Sequence, residues 1–154
     1  MNLDVLELAG DDAVVNEVLH QHAPGFAARG FDFKEVTLEG SQELGRFPVF
    51  HFLNEQTAMG IDLSFCAAVR GLNGGFNVLI IKPVNKKLDV EDYLKEHGRE
   101  ALTRFFTYRA PSTNLRNFAD EFLQMFVGLL DRDLKPILEG KTFEETPIDW
   151  MGYK

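Results

Sequence analysis

The chain reads as an α+β domain: an antiparallel meander sheet of four or five strands with helices packed on one face. Three observations predict this. In residues 61–70, Ile61, Leu63, Phe65, Ala67 and Val69 alternate with the more polar set Asp62, Ser64, Cys66, Ala68 and Arg70. That is the two-residue period of a half-buried strand. Next, Leu72-Asn73-Gly74-Gly75 offers the positive φ values of a tight hairpin, and loops this short join antiparallel neighbours. Last, Leu115, Phe118, Phe122, Met125, Phe126 and Leu129 recur at helical spacing, and Leu123, Val127, Leu130 and Leu134 widen the stripe. Asn117, Asp120, Glu121, Gln124 and Asp131 fall on the opposite side. This helix, residues 115–134, is expected to be the longest and to cover the sheet.

The remaining elements follow in order. Asp11 or Asp12 is placed to cap a helix whose apolar side is Ala13, Val14, Val15, Val18 and Leu19. Ala23-Pro24-Gly25 should end it, and residues 26–31 should bend so as to carry Phe26 and Phe31 to the core. Residues 31–39 read as the first strand, with residues 40–45 turning into the next. Residues 47–53 are apolar on both faces apart from His51, which suits a strand covered on each side. Residues 76–81 are β-branched and aromatic, closed by Pro83. A basic loop, residues 85–88, leads to Asp89, which caps a short helix that ends at Gly98. Residues 102–109 fit a fifth strand or a helix equally. Residues 111–114 break the chain, with Thr113 or Asn114 as the next cap. Pro136 should kink or end the long helix and Gly140 finish it. Residues 141–154 form a tail, and no linker or repeat divides residues 1–154.

Composition narrows the function classes. The chain has 154 residues, near the common single-domain size, and such a domain buries roughly 70% of its unfolded surface. A hydrophobic content of 45%, with 14 Phe, supplies a packed core. Lys and Arg number 16 against 24 Asp and Glu, a net charge of −8. That balance disfavours nucleic acid and anionic membranes and attracts basic partners. No Lys or Arg precedes Arg29, so the n-region of a secretory signal is missing, and the uncharged run 71–81 is far too short for a membrane helix. With a single cysteine, Cys66, expected as a small buried hydrophobe, the cytoplasm is the expected compartment.

The search for chemistry is selective. Gly71, Gly74 and Gly75 lie between strands, with no helix N-terminus behind them to present free N–H groups, so they form a turn and not a phosphate cradle. His20 and His22 point about 200° apart on a helix, too far to share an ion, and read as exposed helix-end residues. No metal or cofactor is expected. Ser64, Cys66, His51 and Asp62 are the one gathering of nucleophile, base and orienter types, but the sequence leaves open whether His51 shares a face with Asp62. A small-ligand or enzymatic pocket between sheet and long helix would draw on Asp62, Ser64, Arg70 and Tyr108.

Acidic residues give the stronger signal. Asp89, Glu91, Asp92 and Glu96 gather at the short helix, and Glu144, Glu145 and Asp149 surround Trp150 and Tyr153 in the tail. A charged helix face is ordinarily just solvated, but acids beside aromatics make an anchoring surface. These nine residues are the expected partner-binding set.

The order of helix, Gly-Phe bend at residues 26–31, meander with the hairpin at residues 72–76, and long helix after Asn114 resembles the small acidic immunity proteins of bacterial toxin systems. The resemblance is one of layout over most of the chain and carries over no functional residue. It implies a non-enzymatic protein that binds and neutralises a cognate, basic toxin. A structural or adaptor subunit is the further alternative.

Overall fold

The apolar members of the alternating run turn inward, and the sheet assembles around them. The structure, a computed structural model, describes residues 10–41, 45–66, 74–82, 86–108 and 114–139. Strands β1 (Asp32–Ser41), β2 (Gly45–Asn54), β3 (Met59–Cys66), β4 (Gly74–Lys82) and β5 (Lys86–Asp89) pair in sequence order, each antiparallel to the last. A short strand, β6 (Thr107–Tyr108), pairs with β4 at Gly74 and Gly75. The α+β meander is therefore present, one strand longer than a four-strand count.

The fifth strand corrects the expectation of a basic loop. Leu88 stands opposite Ile80 and is buried, so the segment joins the ladder to bury a leucine while its lysines are only partly buried. Residues 102–109 contain both expected forms in part: a 3₁₀ segment, Glu100–Phe106, runs directly into β6. Gly75, expected in a hairpin turn, lies inside β4. Its φ is +149°, and a Cβ there would sit 2.0 Å from the Phe106 carbonyl oxygen. Glycine is needed because β6 crosses against it.

Helix α1 (Gly10–Ala27) runs past the expected stop at Pro24. The carbonyl that Pro24 cannot serve belongs to the exposed His20, where water can satisfy it. Its terminator is Gly30, at φ +92°: the Gly30 amide donates to Ala27 O at 3.0 Å and the Phe31 amide to Phe26 O at 2.9 Å. That pairing is a Schellman close. Asp11 and Asp12 lie in the first turn and do not cap it, and burial together with the Asp11 charge raises the Asp12 carboxyl.

Helix α2 (Val90–Glu96) is capped as expected, the Asp92 amide donating to the Asp89 carboxylate at 3.2 Å. Helix α3 (Leu115–Asp131) has Asn114 as its cap, accepting from the Asn117 amide at 3.0 Å. It has 17 residues against 18 in α1, so it is not the longest helix. Pro136 starts the separate α4 (Lys135–Leu138), where a missing N–H costs nothing. Gly140 and Thr113 lie outside the described residues. None of the described helices is long and apolar enough to cross a membrane.

The helices pack on one face of the sheet. Phe122 of α3 stacks on Phe76 of β4 at 4.2 Å between ring centres and meets Phe106 edge-on at 5.0 Å. Phe26 of α1 stacks on Phe52 of β2 at 4.4 Å. Val36, Phe50, Leu63, Val78 and Ile80 complete this side of one continuous core. His22 is not an exposed helix-end residue: it is partly buried, and its Nε2 lies 2.7 Å from Asp120 Oδ1, tying α1 to α3. Cys66 is exposed, against the buried position expected, because β3 ends there and the alternation turns it away from the core.

Candidate functional site

The other face of the sheet has no described helix on it. Antiparallel pairing places directly opposed residues on the same face, so the register sets out this surface in rows. Glu35, His51, Asp62, Leu79 and Asp89 make one row from β1 to β5. Thr37, Val49, Ser64 and Asn77 make the next, and Glu39 pairs with Phe47 beyond it. Strand β2, expected to be covered on both sides, sends Phe50 and Phe52 into the core, while Phe47, Val49, His51 and Leu53 belong to this open face.

A depression of about 290 Å³ is lined by Glu39, Gly40, Phe47, Val49, Asp62, Ser64, Asn77 and Leu79. Its floor is apolar: Val49 and Leu79 are each 5% exposed, yet neither belongs to the main core. Asp62 and Ser64 thus do meet in a pocket, as the sequence suggests, but on the face away from the long helix. Asn77 extends the polar wall, donating from Nδ2 to Asp89 at 3.1 Å, and Ser64 Oγ donates to the Asn77 carbonyl at 3.4 Å. The β6 backbone places Tyr108 opposite Gly74, and Arg70 lies outside the described residues. A second pocket, of about 350 Å³, does lie between one end of the sheet and α3–α4. It is lined by Arg29, Phe31, Asn54, Asp131 and neighbours, and by none of the four expected residues.

His51 is the electrostatic centre of the open face. Its Nδ1 lies 2.7 Å from Asp62 Oδ1, its Nε2 2.8 Å from Thr37 Oγ1, and the same Nε2 3.8 Å from Glu39 Oε2. Partial burial opposes its charge, but the hydrogen bond and charge of Asp62, backed by Glu39 and Glu35, outweigh that and raise its pKa above the ordinary value. Thr37 Oγ1 also donates to Glu39 at 3.2 Å. A Thr37 hydroxyl that donates to Glu39 requires Nε2 to donate to Thr37, which is the imidazolium form, whereas one that donates to Nε2 leaves the ring neutral. The sequence placed His51 and Asp62 in one stretch but missed Thr37 and Glu39, which only the β1–β2 register brings in.

The expected partner-binding residues divide. Asp89 ends β5 beside the pocket wall and caps α2. Glu91 faces Lys95 at 3.9 Å. Partial burial raises the Glu91 and Asp92 carboxyls, and the Asp89 charge adds to both. Glu96 is exposed. Glu144, Glu145, Asp149, Trp150 and Tyr153 lie outside the described residues. Among the described residues no group of three or more His, Cys, Asp or Glu side chains is placed to hold a metal ion. No known protein family, curated protein or solved structure matches this chain.

Proposed function

We propose that the chain is a non-enzymatic protein-binding module of the immunity type, which neutralises a basic bacterial toxin in the cytoplasm. The observation that carries this reading is the open sheet face. It presents Glu35, Glu39, Asp62 and Asp89 around an apolar floor, with no described helix over it. Acidic residues around a small apolar centre are what a stable contact with a basic protein requires: charge speeds encounter, and the desolvated centre slows release. The carboxylates of α2 extend the same charge beyond Asp89, and a net charge of −8 sets the long-range field.

The test is co-expression with the protein encoded beside it. Alone, that product should arrest growth; with this chain, growth should return. The purified pair should form a one-to-one complex that weakens as salt rises. Growth arrest without rescue, or no complex at low salt, would overturn the proposal.

The hydroxyl–imidazole–carboxylate chain of Thr37, His51 and Asp62 favours a second reading, a small hydrolase with Thr37 as nucleophile. The Glu39 carboxylate beside Thr37 weighs against it, since a nearby anion repels a developing oxyanion. Ester hydrolysis that vanishes in Thr37→Val would favour it.

A further inference from the structure

We infer that the depression on the open face is a receptor for a single arginine side chain of the partner. This rests on the protein-binding reading above and names the group that reading leaves open. Size is the first argument. At about 290 Å³ the depression falls just under the roughly 300–1,000 Å³ of pockets that enclose small-molecule ligands, and matches one long side chain.

Lining chemistry is the second. Phe47, Val49 and Leu79 offer apolar surface to a three-methylene stem, and the Phe47 ring offers a face on which a guanidinium can stack. Around them stand acceptors at separate points: the carboxylates of Glu39 and Asp62 and the side-chain oxygens of Ser64 and Asn77. A planar fork of five N–H donors can serve several such points at once, whereas an ammonium serves them as a single point charge.

Charge is the third. Glu39 and Asp62 contribute two negative charges at the wall, and His51, bonded to Asp62, returns one positive charge when protonated. The wall is thus net negative in either state of His51, by one charge with the ring protonated, and a guanidinium offsets it. A neutral side chain would leave that charge without a counterion, and an anionic one would add to it.

The probe is N-acetyl-L-arginine methylamide, titrated into the full chain at low salt and followed by amide chemical shifts. Its citrulline counterpart, of the same shape without the charge, is the comparison. Saturable shifts should centre on Glu39, Ser64, Asn77 and Leu79, and citrulline should bind at least about tenfold more weakly. Ser64→Leu, which fills the depression, should abolish the shifts. Glu39→Gln, at an exposed position that leaves the core alone, should weaken binding about fivefold or more. Equal binding of citrulline, shifts centred elsewhere, or a Glu39→Gln chain that binds as before would each overturn the inference. A partner complex that forms at full strength with Glu39→Gln, while the probe leaves the pocket unshifted, refutes the arginine receptor and spares the protein-binding reading. Failure to form any complex refutes the protein-binding reading, and if the probe still shifts the depression what survives is an arginine-binding pocket without a protein partner.

Discussion

His51 on β2 and Asp62 on β3 stand directly opposite each other, with His51 Nδ1 2.7 Å from Asp62 Oδ1. Eleven residues separate them in the chain, and both side chains are about three-quarters buried (24% and 23% exposed). The pair joins the electrostatics of the open face to the stability of the sheet.

Because the folded state raises His51, it favours the protonated imidazole. The sign follows: this stabilisation is fully present below the unfolded value near 6.5 and is lost as pH rises through the folded value. Asp62→Asn should therefore cost more at pH 5.5, about 1.5–3 kcal/mol for a lost bond to a charged group, than at pH 8.5. Urea unfolding at the two pH values measures the difference, and NMR titration should show His51 moving down in the variant. A His51 titration unmoved by Asp62→Asn would remove Asp62 as the cause.

Phe122 holds the helix layer to the sheet through Phe76, Phe106 and Phe126. Truncating it opens a cavity flanked by rings that cannot collapse inward together. Phe122→Ala should cost roughly 3–5 kcal/mol in chemical denaturation, and Phe122→Leu distinctly less.

Gly75 and Gly98 both have positive φ, +149° and +75°, but differ in surroundings. A Cβ on Gly98 meets nothing within 4 Å, whereas one on Gly75 overlaps the Phe106 carbonyl. Gly98→Ala should cost about 1 kcal/mol for conformation alone. Gly75→Ala should cost more, roughly 2–4 kcal/mol, and should release β6. Hydrogen exchange at Thr107 and Tyr108 would report that release; equal losses in the two variants would contradict it.

The two side-chain caps give a local comparison. Asn114→Ala should lower stability by about 1 kcal/mol through the first turn of α3. Asp89→Ala removes a cap and also the bond from Asn77, so its loss should exceed that of Asn114→Ala. Thermal unfolding of the two variants orders them directly.

Several of these features are legible without coordinates because their causes are local. The inward turn of Ile61, Leu63 and Phe65 follows from backbone geometry with a period of two, and the buried stripe of α3 follows from a period of 3.6. The caps at Asp89 and Asn114 and the stop at Gly98 each depend on atoms a few residues away. Where a second local signal competed, the reading slipped. Pro24 suggested a helix end, yet the apolar pull of Phe26 on Phe52 and Phe126 continues the helix to the glycine that closes it.

By itself, then, the sequence determined the α+β class, the inner face of β3, the helix that covers the sheet and the acidic balance of the surface. Tertiary structure alone decided that Thr37, His51 and Asp62 meet, that the second apolar side of β2 lies on the face that no described helix covers, and that Gly75 yields to a crossing strand. The physical reason is register: alternation fixes which residues share a face of one strand, but which residues stand opposite is set by turn geometry and ladder hydrogen bonds, and a slip of one position would send Asp62 into the core.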